Sequence, residues 1–196
     1  MIKEFPDRID IVHLVETHSK KENWRIASQD HGGVFFFTKP LGSDKKGGLA
    51  QWALTPLFRS GLREQRAWST YYLHTSIKLG RATMHNFSVY VPPELNEHDR
   101  FNILRNVFWA IDSEIRVAKG LNAFMIAGDF NKGGMRDFDA WANARGIFKI
   151  EANTRGSAEL DAVYCSNNIK IINQIVGRVK EMSDHCWIQT KVRFQT

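Results

Sequence analysis

Short apolar runs rich in β-branched and aromatic residues recur along the chain, separated by polar or glycine-containing stretches, which is the pattern of many strands. Ile9 to Val15 (IDIVHLV) reads as the first, with Glu16 directly at its end. His31 to Thr38 (HGGVFFFT) predicts a buried strand, and Lys45-Lys46-Gly47-Gly48 a turn into another over Leu49 to Leu54. Arg66 to Ile77 partly alternates and reads as one half-buried strand. Leu79-Gly80-Arg81 breaks it before Thr83 to Val91, which Pro92-Pro93 stops. Ala123 to Ala127, Asp161 to Ser166, Ile169 to Val179 and Cys186 to Phe194 complete the set. One segment has strong helical spacing: in Glu97 to Lys119, Phe101, Leu104, Val107, Phe108, Ile111 and Ile115 make a core-facing stripe, ended by Gly120. Asp137 to Arg145 predicts a shorter helix, closed by Gly146. Strands predominate over helices, so the expected class is α/β, a sandwich of two mainly antiparallel sheets with outer helices.

Composition narrows this further. Apolar residues are 43% of 196, enough for a real core, and no apolar run approaches the roughly 20 residues of a membrane span. The start, MIKEFPDRID, has no apolar signal region, so the reading is an intracellular chain without a membrane partner. The two cysteines, Cys165 and Cys186, form no CxxC pair and no disulfide framework. Lys plus Arg (27) minus Asp plus Glu (21) leaves +6, a balance that favours polyanionic partners.

Against that basic background, acids collect at strand ends. Glu16 and Asp129 each follow an apolar strand; Asp161, Asp184 and His185 each precede one. In antiparallel neighbours the end of one strand and the start of the next share a rim, so these groups are candidates for one cluster. Carboxylates repel unless a cation or proton sits among them, and Mg²⁺ is the natural filler for an oxygen-lined site. A metal among carboxylates beside a titratable histidine is machinery for phosphoester hydrolysis. Taken singly, each acid reads more readily as a turn or surface residue than as a site group, and Asp129 before Phe130-Asn131 as a plain Asx turn.

Five blocks stand in a telling order: VETH (15–18), VYVPP (89–93), IAGDFN (126–131), ELDAVY (159–164) and SDHCWI (183–188), with KKGGLAQWAL (45–54) between the first two. In this the chain resembles the endonuclease/exonuclease/phosphatase superfamily. Within it the chain is most similar to the apurinic-endonuclease-like enzymes of non-LTR retrotransposons, to which TRGSAELD (154–161) adds. The resemblance runs from about Asp10 to the C-terminus. It implies a DNase I-like, four-layered α/β sandwich, with residues 1–196 forming a single domain shortened at its N-terminus. It also implies roles. Glu16 and Asp184 match metal-site acids; Tyr90 and Asn131 match phosphate-oxygen donors. Asp129 matches the aspartate that orients or deprotonates water, and His185 the phosphate-contacting histidine partnered by Asp161.

One departure stands out. The family's opening strand carries an asparagine, and no asparagine occurs among residues 1–15. A fragment, a segment or subunit that fills the gap, and a reduced family member all account for it. A missing central strand would leave pairing edges that favour self-association.

The expected activity is Mg²⁺-dependent hydrolysis of nucleic acid, with Mn²⁺ as substitute metal: nicking of duplex DNA, in the nucleus if the element is a retroelement and in the cytoplasm otherwise. Lys20, Lys21, Arg136 and Arg155 are the candidate phosphate-backbone contacts. Two alternatives remain: an inositol-phosphate or lipid phosphoesterase of the same fold, and a catalytically weakened nucleic-acid-binding domain.

Overall fold

The computed structural model describes residues 11–15, 17, 33–38, 47–54, 61–68, 70–79, 82–117, 122–150, 160–177 and 187–194. Strands β1 (Ile11–Val15), β2 (Val34–Phe37) and β3 (Leu49–Ala53) make a three-stranded antiparallel sheet with β3 in the middle. Strands β4 (Arg63–Trp68), β5 (Tyr72–Leu79), β6 (Ala82–Tyr90), β7 (Asn122–Asp129), β8 (Phe148–Ile150) and β9 (Asp161–Cys165) form a six-stranded sheet in the order β4-β5-β6-β7-β9-β8. Its one parallel pair is β6–β7. Helix α1 (Glu97–Val117) makes that crossover, as a parallel connection requires. Helix α2 (Asn131–Asn143) follows β7 at once. Strands β10 (Ile169–Gly177) and β11 (Trp187–Phe194) pair antiparallel as a separate ribbon.

Period-two alternation gives the six-stranded sheet two buried faces. One face carries Tyr72, Phe87, Val89, Phe124, Ile126 and Tyr164 and packs on both helices through Leu104, Val107, Ile111, Phe138 and Trp141. The other carries Ile77, Met84, Ala123, Met125 and Val163; Ile11 and Phe36 of the first sheet and Ile171, Ile188 and Val192 of the ribbon pack against it. Among the described residues the layers are helix, sheet and smaller sheets, and the expected α/β sandwich is the architecture observed.

A polar seam fixes how the three-stranded sheet sits. Gln51, fully buried on β3, donates from Nε2 to Ser88 Oγ (2.9 Å) and to the Asn86 carbonyl (3.3 Å). His13 Nδ1 on β1 lies 2.9 Å from the same Ser88 Oγ, which brings β1 into the seam. A one-residue slip would strand these groups without partners at about 1–3 kcal/mol each, so the seam holds the C-terminal end of β1 beside the C-terminal end of β6.

Four expectations are corrected. The single strand over Arg66 to Ile77 is two strands, β4 and β5, reversing so tightly that Trp68 pairs with Tyr72. No Gly or Pro marks that reversal. Phe101 is 60% exposed; in that turn Arg100 lies against α2, its Nε 3.6 Å from Asp137 Oδ2. The second helix begins six residues earlier than Asp137, because its two glycines serve packing rather than a loop. A Cβ on Gly133 would lie 2.8 Å from the Arg100 guanidinium, and one on Gly134 would lie 3.0 Å from Val91. Strand β8, three residues at the sheet edge, had no sequence signal. Cys165 is fully buried, its thiol pushed up to about 12 by burial. Cys186, Trp24, Arg59, His18 and His31 lie outside the described residues.

Candidate active site

Three neighbouring strands bring chemistry to one rim. Across the parallel pair Tyr90 stands beside Asp129, and across the antiparallel pair Asp129 stands beside Asp161. All three occupy positions of the face that carries Met84, Met125 and Val163, so their side chains start from one side of the sheet. Asp129 is the last residue of β7 and Asp161 the first of β9, the strand-end arrangement their sequence positions suggest.

The backbone here is tied on every side. Val91 N–H donates to the Asp129 carbonyl (2.9 Å), Phe130 N–H to the Leu160 carbonyl (2.9 Å), and Tyr90 N–H to the Tyr71 carbonyl (3.1 Å). Asn131 N–H donates to Asp129 Oδ1 at 3.0 Å, so the Asx turn exists and also aims the carboxylate. Asn131 adopts φ +49, a left-handed conformation that asparagine tolerates better than most residues, and it lets α2 start without a spacer. Its Nδ2 donates to the Val91 carbonyl at 2.9 Å, which fixes the amide plane. Asp129 is 2% exposed, so its carboxylate is held in a nearly dry setting where electrostatic effects are strong.

Tyr90 is also buried, packed with Leu49, Leu73 and Val15. That contact places the last residue of β1 at the rim, and Thr17 N–H donates to the Gly48 carbonyl there (3.1 Å). Gly47 and Gly48 have φ of +75 and +93, and a Cβ on Gly47 would sit 3.2 Å from the Tyr90 ring. A Cβ on Gly47 would meet the Thr70 side chain first, so the turn lies tight against Thr70 with the Tyr90 ring next to it. Glu16, between Val15 and Thr17, lies outside the described residues, as do Asp184, His185, Lys20, Lys21 and Arg155. Arg136 is exposed on α2 and pairs with Asp137 at 3.3 Å.

Sequence reasoning missed Arg100. It lines a cavity of about 150 Å³ with Val91, Pro92, Pro93, Asn131, Gly133, Gly134 and Leu160, immediately beside the Tyr90–Asp129–Asp161 row. The signal was an arginine in the first turn of the helix that follows VYVPP. With the amino end of α2 it gives the cavity a positive lining suited to a phosphate oxygen.

Gly128 shows how closely the site is built. It pairs with Val89 across β6–β7, and a Cβ there would overlap the Val89 carbonyl and lie 2.8 Å from its carbon. Gly128→Ala must push β7 off β6 next to Tyr90 and Asp129. The expected result is a loss of about 1–3 kcal/mol in urea unfolding, with catalytic activity falling more than stability does.

No known family profile matches the sequence, and no curated protein matches it. Solved structures do. The human Nocturnin catalytic domain with bound sulfate superposes with a TM-score of 0.65 at 12% identity, over 93% of this chain and 81% of that one. The endonuclease domain of TRAS1, a telomere-specific non-LTR retrotransposon, gives 0.58 at 12% identity, over 94% and 99%. The mannosyl-6-phosphatase of Bacteroides thetaiotaomicron gives 0.63 at 12% identity, over 94% and 85%. The fold is thus the DNase I-like α/β sandwich, and two of these neighbours are named for cleaving phosphate esters.

Proposed function

We propose that the chain is a divalent-metal-dependent phosphodiesterase acting on nucleic acid, a DNA-nicking endonuclease of the non-LTR retrotransposon type, with residues 1–196 as one domain. The carrying observation is the register row Tyr90–Asp129–Asp161 with Asn131 locked at its end. The TRAS1 likeness over 99% of that domain and the net charge of +6 support nucleic acid as substrate.

Asp129 at the end of its strand offers hard carboxylate oxygen at the rim, the donor chemistry that fits Mg²⁺. Glu16 and Asp184 are the residues assigned to hold it, beside Asp129. When bound, the ion supplies stabilisation of the charge that develops on phosphoryl and leaving-group oxygens. The protein's own groups do the rest. Asp129 orients the attacking water and takes its proton. The Asn131 amide and the Tyr90 hydroxyl hold phosphate oxygens. His185 contacts the phosphate, with Asp161 setting its tautomer and stabilising the imidazolium. In-line attack then leaves a 3′-hydroxyl on the nicked strand. Arg100 and Arg136 with Lys20, Lys21 and Arg155 draw the backbone in, so binding weakens with salt. Chromosomal DNA as substrate puts the protein in the nucleus.

Supercoiled plasmid incubated with Mg²⁺ is expected to convert to the nicked circle, to stay intact with EDTA, and to react about 10²–10⁴-fold more slowly with Asp161→Asn. Nicking that persists in EDTA or in the variant overturns the mechanism. The phosphatase neighbour, at a TM-score of 0.63, favours a second reading on a small phosphomonoester. Release of inorganic phosphate from sugar or inositol phosphates with plasmid left intact would select it. Salt-sensitive DNA binding without any cleavage would select a binding domain.

A further inference from the structure

The far side of the six-stranded sheet holds a second group of metal-ligating side chains. His74 on β5, His85 on β6 and Glu114 on α1 each offer one ligand atom within 4.8 Å of the other two. His85 pairs across the sheet with Phe124, five residues before Asp129 on β7, which is about 17 Å at 3.3 Å per residue. His74 and His85 stack with Phe87 and with Phe124 on the helix-side face, opposite the rim described above.

The polar groups here are not satisfied by one another. His74 Nε2 lies 3.0 Å from His85 Nδ1, so one ring donates to the other. His74 Nδ1 is buried with no hydrogen-bond partner, and the residue is 1% exposed. The Glu114 Oε1 atom is 3.9 Å away, beyond hydrogen-bond range. Either tautomer leaves a fault. If Nε2 carries the proton, the Nδ1 lone pair faces a carboxylate. If Nδ1 carries it, a buried donor has no acceptor. One of the two imidazole lone pairs is taken up by the hydrogen bond between the rings, which a bound ion would replace.

The geometry points to a zinc site formed by His74, His85 and Glu114 that clamps α1 onto β5 and β6. Two imidazoles and one carboxylate are a borderline donor set that suits Zn²⁺ and not Mg²⁺. Zinc bonds of 2.0–2.2 Å set ligand atoms roughly 3.3–3.5 Å apart, so the 4.8 Å span closes by about 1.5 Å, within reach of the half-buried Glu114 side chain. The Arg66 guanidinium sits 5.7 Å over the Trp109 ring. The three ligands come from three consecutive elements, so the ion would tie a crossover helix to the strands it covers.

The test uses the full chain freed of metal by chelator dialysis. One equivalent of Zn²⁺ is expected to bind and, at a hundredfold excess over Kd, to raise Tm by roughly 5 °C or more. Co²⁺, with water as its fourth ligand, should give the intense visible bands of a four-coordinate ion. Glu114→Gln, on a half-exposed helix position, should weaken zinc at least tenfold while leaving the metal-free Tm near that of the parent. Asp129→Asn should leave zinc binding and the Co²⁺ spectrum unchanged, which separates this site from the candidate active site. No saturable zinc binding, or equal binding by Glu114→Gln, overturns the proposal and leaves a hydrogen-bonded histidine pair.

Discussion

Asp129→Asn is expected to slow phosphodiester cleavage by about two to four orders of magnitude, the range in which a positioned general base contributes, with the protein still folded. Asparagine has the shape of aspartate and keeps one carbonyl oxygen, so the 3.0 Å bond accepted from Asn131 N–H survives. The backbone bonds from Val91 to the Asp129 carbonyl and from Phe130 to Leu160 do not involve the side chain at all. What disappears is the negative charge and the proton-accepting oxygen, at a residue only 2% exposed, where no bulk water can substitute. Single-turnover nicking of a defined duplex, with circular dichroism and urea unfolding alongside, separates chemistry from folding. A rate within tenfold of the parent, in a folded variant, removes Asp129 from the proposed role. Loss of rate together with loss of fold instead assigns the carboxylate to structure.

Much of this was readable before any coordinates, for identifiable reasons. Strands β1, β3, β6 and β7 are dense in apolar β-formers and bounded by Gly, Pro or charge, so their positions follow from local pattern. Asp129 and Asp161 stand at a strand end and a strand start, and antiparallel pairing alone then puts them side by side. Tyr90 could not be placed beside Asp129 from pattern, because a parallel partner is set by a crossover of 31 residues between the two strands (91–121), whose packing is a tertiary matter.

Other features left a fainter trace. The β4–β5 reversal uses Thr70 and Tyr71, neither a turn signal, and is held by pairing on both sides. The early start of α2 reads as a loop because Gly133 and Gly134 have low helix propensity; contact with Arg100 and Val91 is what selects them. The histidine pair was derivable in principle. A hairpin turning at 79–82 sets His74 opposite Phe87 and His85 opposite Ser76, hence His74 and His85 diagonal on one face. Glu114, one helix away, was not.

Acid is expected to destabilise the fold through His13, and the sign follows from its surroundings. His13 Nε2 is buried with no hydrogen-bond partner, and Nδ1 meets only Ser88 Oγ, so burial favours the neutral ring and lowers its pKa from 6.5 to about 4. Above pH 6.5 the ring is neutral folded or unfolded, and the histidine contributes no pH dependence. Below 6.5 the unfolded chain takes the proton and the folded one does not, so stability falls by up to about 1.4 kcal/mol for each pH unit until the folded group itself titrates near 4. The accumulated loss, on the order of 3 kcal/mol, is a large share of a typical domain's 5–15 kcal/mol. His13→Leu removes the titrating ring and its orphaned nitrogen, while Ser88 keeps the bond donated by Gln51. Urea unfolding between pH 7 and 4.5 should then show a slope in the variant shallower than the parent's by about one proton's worth. Parallel slopes in the two proteins would show that the seam between the sheets is wet enough to hydrate His13, and that β1 is held over Ser88 by Gln51 and packing alone.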